Sequence, residues 1–115
     1  LIDDTRLGLP LPSGKAHPVE LTTFAARLDG ERVRLNWETR SESKNVGFVI
    51  ERQIGTEPFG EIAFVTGRRE YAWPVAYQYV DSEFPLDSIH VRYRLRQVSG
   101  DSTSRYSAVI TLNAQ

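Results

Sequence analysis

The chain contains no cysteine and no methionine, only two lysines and two histidines, and no apolar run long enough to span a membrane as a helix. Without cysteine there is neither a disulfide framework nor a thiolate metal site. Lysine occurs only at Lys15 and Lys44, so arginine carries nearly all the positive charge, and the formal net charge is −1. That balance excludes the basic excess a nucleic-acid footprint needs. No signal-peptide core is present either. The lack of methionine, at position 1 as elsewhere, gives the expectation of a fragment or processed segment of a longer protein.

What is present is β-pattern. A chain of 115 residues is one domain by length, and roughly two-thirds of its unfolded surface can be buried, enough for an independent core. Leu1 to Pro18 is punctuated by Gly8, Pro10, Pro12, Gly14 and Pro18 and reads as a linker or extended N-terminal segment. The domain proper then covers 19–113. Val19 to Arg27 is β-rich, and Asp29-Gly30 is a hairpin turn leading into Arg32 to Thr39. In that second run Val33, Leu35 and Trp37 alternate with Arg34, Asn36 and Glu38, the period of a half-buried strand. Ser41 to Gly47 reads as a polar connector, after which Phe48 and Ile50 alternate with Val49 and Glu51.

Downstream, Gly55 to Gly60 is a turn, Ile62 to Val65 a short strand, and Arg68 to Val75 an irregular loop. Tyr77 to Asp81 and Val91 to Arg96 alternate as strands, separated by a crossing loop over Ser82 to Ser88, and Tyr106 to Leu112 is the last strand. About seven short strands and no sustained helical period give an all-β fold, most simply a β-sandwich. Its expected core is Trp37, Phe48, Ile50, Tyr93 and Leu95.

Chemistry-bearing patterns are sparse. His17 and His90 have no serine or aspartate at a known catalytic spacing, and no nucleophile elbow, zinc-binding histidine pair or phosphate loop occurs. The expectation is no enzyme and no cofactor. Asp81, Glu83 and Asp87 offer hard oxygen ligands in one loop but lack the ordered spacing and turn glycine of a calcium site. Tyr71 and Trp73, beside Pro74, are candidates for stacking on sugar rings; the competing reading has the tryptophan cover the open edge of its own core. Arg92, Arg94 and Arg96 fall on one strand face, as a solubility device or as a docking face for an acidic partner domain. Glu51 is placed to pair with one of them if their strands are neighbours.

The PVELTTF start, LNW followed by SESKNVGFVIER, the Tyr77-x-Tyr79-x-Asp81 segment and YRLRQV together resemble a fibronectin type III-like module. They are most similar to the version preceding the C-terminal sorting domain of type IX-secreted proteins in Bacteroidetes-type bacteria. The resemblance covers Val19 to Leu112. It implies an immunoglobulin-like sandwich with Val19 to Arg27 as strand A, Trp37 on strand B, and strands C, C′, E, F and G near Phe48, Ile62, Tyr77, Val91 and Tyr106. It also leaves open whether Tyr93 makes a tyrosine corner or Val91 takes the inward site. The implied role is a non-catalytic spacer or interaction module of a secreted or cell-surface bacterial protein. Its expected partners are neighbouring domains, with polysaccharide as the alternative and a part in an enzyme more distant. Neither nucleic acid nor membrane insertion is expected, and the isolated domain is expected to be monomeric.

Overall fold

The computed structural model describes residues 6–7, 19–85, 87 and 90–113. In chain order the strands are β1 (Arg6–Leu7), β2 (Val19–Asp29), β3 (Arg32–Ile54), β4 (Gly60–Tyr71), β5 (Val75–Asp81), β6 (His90–Ser99), β7 (Ser104–Tyr106) and β8 (Ile110–Asn113). Every pairing is antiparallel, and the described residues contain no helix. The fold is all-β: one antiparallel sheet curled around its core.

The hairpin between β2 and β3 turns at Asp29-Gly30, where Gly30 takes a φ of 66° that a side chain would disfavour. Its register sets Phe24 opposite Trp37, Ala26 opposite Leu35 and Leu28 opposite Val33, so the apolar members of both strands share a face. β3 organises everything else. Its first part, up to Thr39, lies between β2 and β5; its second, from Gly47, lies between β4 and β6.

A straight strand of 23 residues would run on the order of 75 Å at about 3.3 Å per residue, yet the longest dimension of the molecule is 40 Å. Trp37 and Phe48 belong to this one strand, and their ring centroids are 5.6 Å apart. β3 therefore doubles back between them. The bend is marked by register shifts at Glu42, Asn45 and Gly47 and by Lys44 at a φ of 58°. Gly47 is required there, because a Cβ would overlap the Val65 carbonyl oxygen and the Phe64 ring.

The two halves of β3 thus face each other across a core containing Phe24, Val33, Leu35, Trp37, Phe48, Ile50, Tyr93 and Leu95, all buried. All five core residues expected from the sequence are among them. Trp37 meets Phe24 and Phe48 edge-on and stacks on Tyr77 at 5.7 Å, arrangements that add to simple area burial.

Several expectations need correcting. Ser41 to Gly47 is not a turn joining two strands but a bulged stretch of β3 itself. Arg68 to Tyr71 is not loop; it continues β4, pairing with the bend of β3, and only Ala72 to Pro74 is irregular. The expected last strand is broken in two, with β7 on the Arg96–Val98 part of β6 and β8 on its His90–Tyr93 part. The break has a local cause: Ser107 Oγ accepts the Leu95 N–H at 2.9 Å and donates to the Ala108 carbonyl at 2.8 Å. Val91 and Tyr93 are both buried on one face, and the Tyr93 hydroxyl donates to the Asp81 side chain at 2.6 Å, so it does not form a corner with loop backbone. Of the expected linker, Arg6 and Leu7 pair with Ala26 and Ala25; the rest of 1–18 lies outside the described residues.

Candidate functional site

The feature most open to a ligand begins where β4 stops. Pro74 has no N–H to give a sheet ladder, and the chain leaves the pairing pattern after Tyr71. Ala72 and Trp73 swing outward as a bend, with Trp73 left 67% exposed. The expectation that Trp73 covers the edge of its own core is therefore overturned. Tyr71 stands edge-on to it with centroids 5.8 Å apart, and the Arg68 guanidinium lies 4.7 Å over the Tyr71 ring. Tyr71, Ala72 and Trp73, with Ser41, Glu42 and Glu70, border a shallow, open cleft of about 400 Å³. Glu70 Oε2 accepts the Lys44 N–H at 2.9 Å, tying the cleft wall to the bend of β3.

Beneath the cleft Glu42 is buried with only 4% exposure. Its Oε1 accepts from the Asn45 side chain at 2.7 Å and the Arg68 backbone N–H at 2.9 Å. Its Oε2 accepts from the Thr39 hydroxyl at 2.9 Å and from the Tyr77 hydroxyl in a short bond. Burial alone pushes this carboxyl up, but the bonds from Tyr77, the Arg68 backbone, Asn45 and Thr39 together hold it below the usual glutamate range. Asn45 in turn accepts from Gln97 Nε2 at 2.9 Å, and Gly67 leaves the space its side chain occupies. This cluster fixes the fold of β3 and so the cleft above it. Glu42 and Asn45, which read as solvated turn residues from the sequence, are buried, Ser41 is half-buried, and Glu70 carries no signal in the sequence.

The other sequence candidates are occupied by the fold itself. Asp81 is buried, and its two oxygens accept from Arg52 Nη1 at 3.0 and 2.8 Å, from the Tyr93 hydroxyl at 2.6 Å and from the Glu83 N–H at 3.1 Å. Glu83 and Asp87 are exposed, and no group of three or more metal-ligating side chains occurs among the described residues. Burial and the neighbouring Asp81 carboxylate drive Tyr93 far above the ordinary tyrosine range, so its hydroxyl stays protonated and can donate to Asp81.

The arginine row lies on the outer face of the sheet. Arg94 Nε donates to Glu51 at 2.6 Å, with its guanidinium between the Phe59 and Tyr106 rings, 4.0 Å from each. Arg96 bridges Glu51 at 3.3 Å and Glu61 at 2.6 Å, while Arg92 reaches Gln53 and the Gly55 carbonyl at 3.4 Å. Glu51 is buried beneath them, in register with Arg94, the pairing expected if their strands are neighbours. A row partnered from within its own sheet offers fewer free donors to an acidic surface than its spacing implies.

No family model, curated protein or solved structure matches this chain.

Proposed function

We propose that this chain is a non-catalytic accessory module of the immunoglobulin-like, fibronectin type III-like sandwich class. Its role is to space or join neighbouring domains of a larger exported or cell-surface bacterial protein. The fold reading is supported by which strands are neighbours. The β2–β3–β5 set corresponds to strands A, B and E, and the β4–β3–β6 set, extended by β7 and β8, to C′, C, F and G. The export reading is supported by the SESKNVGFVIER and YRLRQV resemblance.

One observation carries the non-catalytic reading. The buried carboxylates Glu42, Glu51 and Asp81 are each bound by donors of the protein itself, arranged to hold strands together. A spacer acts by being compact and stiff, and a body 40 × 25 × 25 Å in extent holds its neighbours at a set separation. Small-angle scattering of the longer protein with and without this module tests the reading. The expected result is a maximum dimension shortened by a length on the scale of the 40 Å axis, with the specific activity of the remaining domains unchanged. Loss of a catalytic activity on deletion, restored by adding the isolated module, would overturn it.

A further inference from the structure

We propose that the cleft beside Trp73 binds a neutral polysaccharide by stacking a pyranose ring with equatorial hydroxyls on the exposed indole. The proposal goes beyond the spacer reading and does not rest on it. Trp73 is 67% exposed, more than Phe64 at 50%, Val109 at 45% or Tyr106 at 44%. An indole is amphipathic, with a broad apolar face and one N–H donor. A pyranose with equatorial hydroxyls has the complementary form: an apolar face of C–H bonds and a rim of donors and acceptors.

The platform is braced. Tyr71 meets Trp73 edge-on at an interplanar angle of 66°, and Arg68 packs over the Tyr71 ring. Tyr71 is itself in register with Glu42 at the bend of β3. An aromatic face held this way loses less freedom on binding than one on a free loop. Polar groups stand where a sugar rim would meet them. Ser41 lines the cleft, and Glu70, fixed through Oε2 by the Lys44 N–H, has its second oxygen without a partner among the described residues. The cleft is shallow and open, so a chain can lie across it with one ring on the indole.

Charge selects among glycans. The lining carries two carboxylates, Glu42 and Glu70, and, among the described residues, no cationic side chain, the Arg68 guanidinium being packed on the Tyr71 ring, so an anionic uronic-acid chain meets opposition there. A neutral glucan or xylan chain meets no such opposition.

The experiment is titration of the whole chain with cellohexaose, xylohexaose and an oligogalacturonate, followed by calorimetry and tryptophan emission. Only two tryptophans are present, and Trp37 is buried at 1% exposure, so a ligand-induced blue shift reports Trp73. The expected result is saturable heat with at least one neutral oligomer, accompanied by that shift. Trp73→Ala should weaken binding about tenfold or more, the factor that 1.4 kcal/mol corresponds to. Trp73→Phe should keep most of the heat while losing the shift. Because residue 73 is exposed, an unchanged urea midpoint shows that both variants are folded. Absence of saturable heat with both neutral oligomers, binding of the oligogalacturonate alone, or full binding by Trp73→Ala each overturns the proposal. None of these outcomes bears on the scattering test of the spacer.

Discussion

Glu42 and Asp81 are two buried carboxylates with the same tyrosine handle and opposite electrostatic solutions. Each accepts a phenol hydrogen bond, Glu42 from Tyr77 on β5 and Asp81 from Tyr93 on β6. Asp81 is neutralised by a cation, with Arg52 Nη1 at 2.8 Å. Glu42 has neutral donors only, from Thr39, Asn45, Tyr77 and the Arg68 backbone. Both arrangements satisfy a charge out of water, where an unpaired one would be prohibitive. They differ in what happens when one member is removed. A cation that loses its anion remains a charge; a hydroxyl or amide that loses its acceptor is a smaller liability, spread over several residues.

The largest expected effect follows directly. Asp81→Ala strands a partly buried Arg52 and leaves the fully buried Tyr93 hydroxyl without its acceptor. Breaking a buried pair from one side costs about 3–5 kcal/mol, read as a lowered urea midpoint. Adding Arg52→Met should recover part of that loss by removing the stranded cation. If the double variant is no more stable than the single, the charge of Arg52 is not the source of the penalty.

Glu42→Gln comes next. The side chain keeps its shape but presents an amide N–H₂ to groups that are all donors, so at least one of them goes unmet. The expected cost is about 2–3 kcal/mol, the range for a lost hydrogen bond to a charged group combined with a stranded polar atom. No single second substitution should rescue it, because the four donors come from three strands, Thr39 and Asn45 from β3, Arg68 from β4 and Tyr77 from β5. A loss under about 0.5 kcal/mol would show that the bend of β3 is held by its backbone pairing alone.

This contrast also explains what sequence reading reached and missed. Val33, Leu35, Trp37, Phe48 and Ile50 announce themselves by alternation, a local signal, and all five are buried. Ser41, Glu42 and Asn45 are polar and adjacent, the local signature of a solvated turn. The burial of Glu42 and Asn45 depends on Arg68, Tyr77 and Gln97, which follow 26, 35 and 52 positions after their respective partners. No window along the chain contains both ends of such a bond. The placement of Trp73 is open in the sequence for the same reason. A tryptophan next to a proline is compatible with a core lid or an open bend, and the choice is made by how far β4 pairs before releasing it. The arginine row was legible as a face, but its neutralisation was only partly so: Glu51 was named as a partner, whereas Glu61 and the flanking rings of Phe59 and Tyr106 come from other strands and the loop before β4.

The tyrosines allow a gentler comparison. Tyr77→Phe removes one of four neutral donors to Glu42, and no cation stands by to compensate. A hydrogen bond to a charged group contributes about 1.5–3 kcal/mol, so about 2 kcal/mol is expected. Tyr93→Phe leaves Asp81 with Arg52 and the Glu83 N–H, and about 1 kcal/mol is expected there for the lost phenol bond. Equal losses, measured by denaturation under one set of conditions, would mean that the presence of the cation does not buffer Asp81 against losing its phenol.

The smallest expected effect is a pH dependence confined to one side of the comparison. Glu42 titrates below the usual range in the folded protein, whereas an unfolded glutamate titrates near about 4.3. A depressed folded value means that the unfolded state takes up the proton first on acidification. The stabilisation from the ionised carboxylate is therefore complete above about pH 4.3 and is lost progressively as pH falls through the folded value. Glu42→Gln has no such proton to take up. The stability gap between the unaltered protein and Glu42→Gln should be constant from pH 7 to about 5 and narrow on further acidification. Other carboxylates titrate in the same window, but they do so in both proteins and cancel in the difference. A gap that stays constant down to pH 3 would mean that the four donors hold the protonated acid as well as the carboxylate, and that the bend of β3 depends on their geometry rather than on charge.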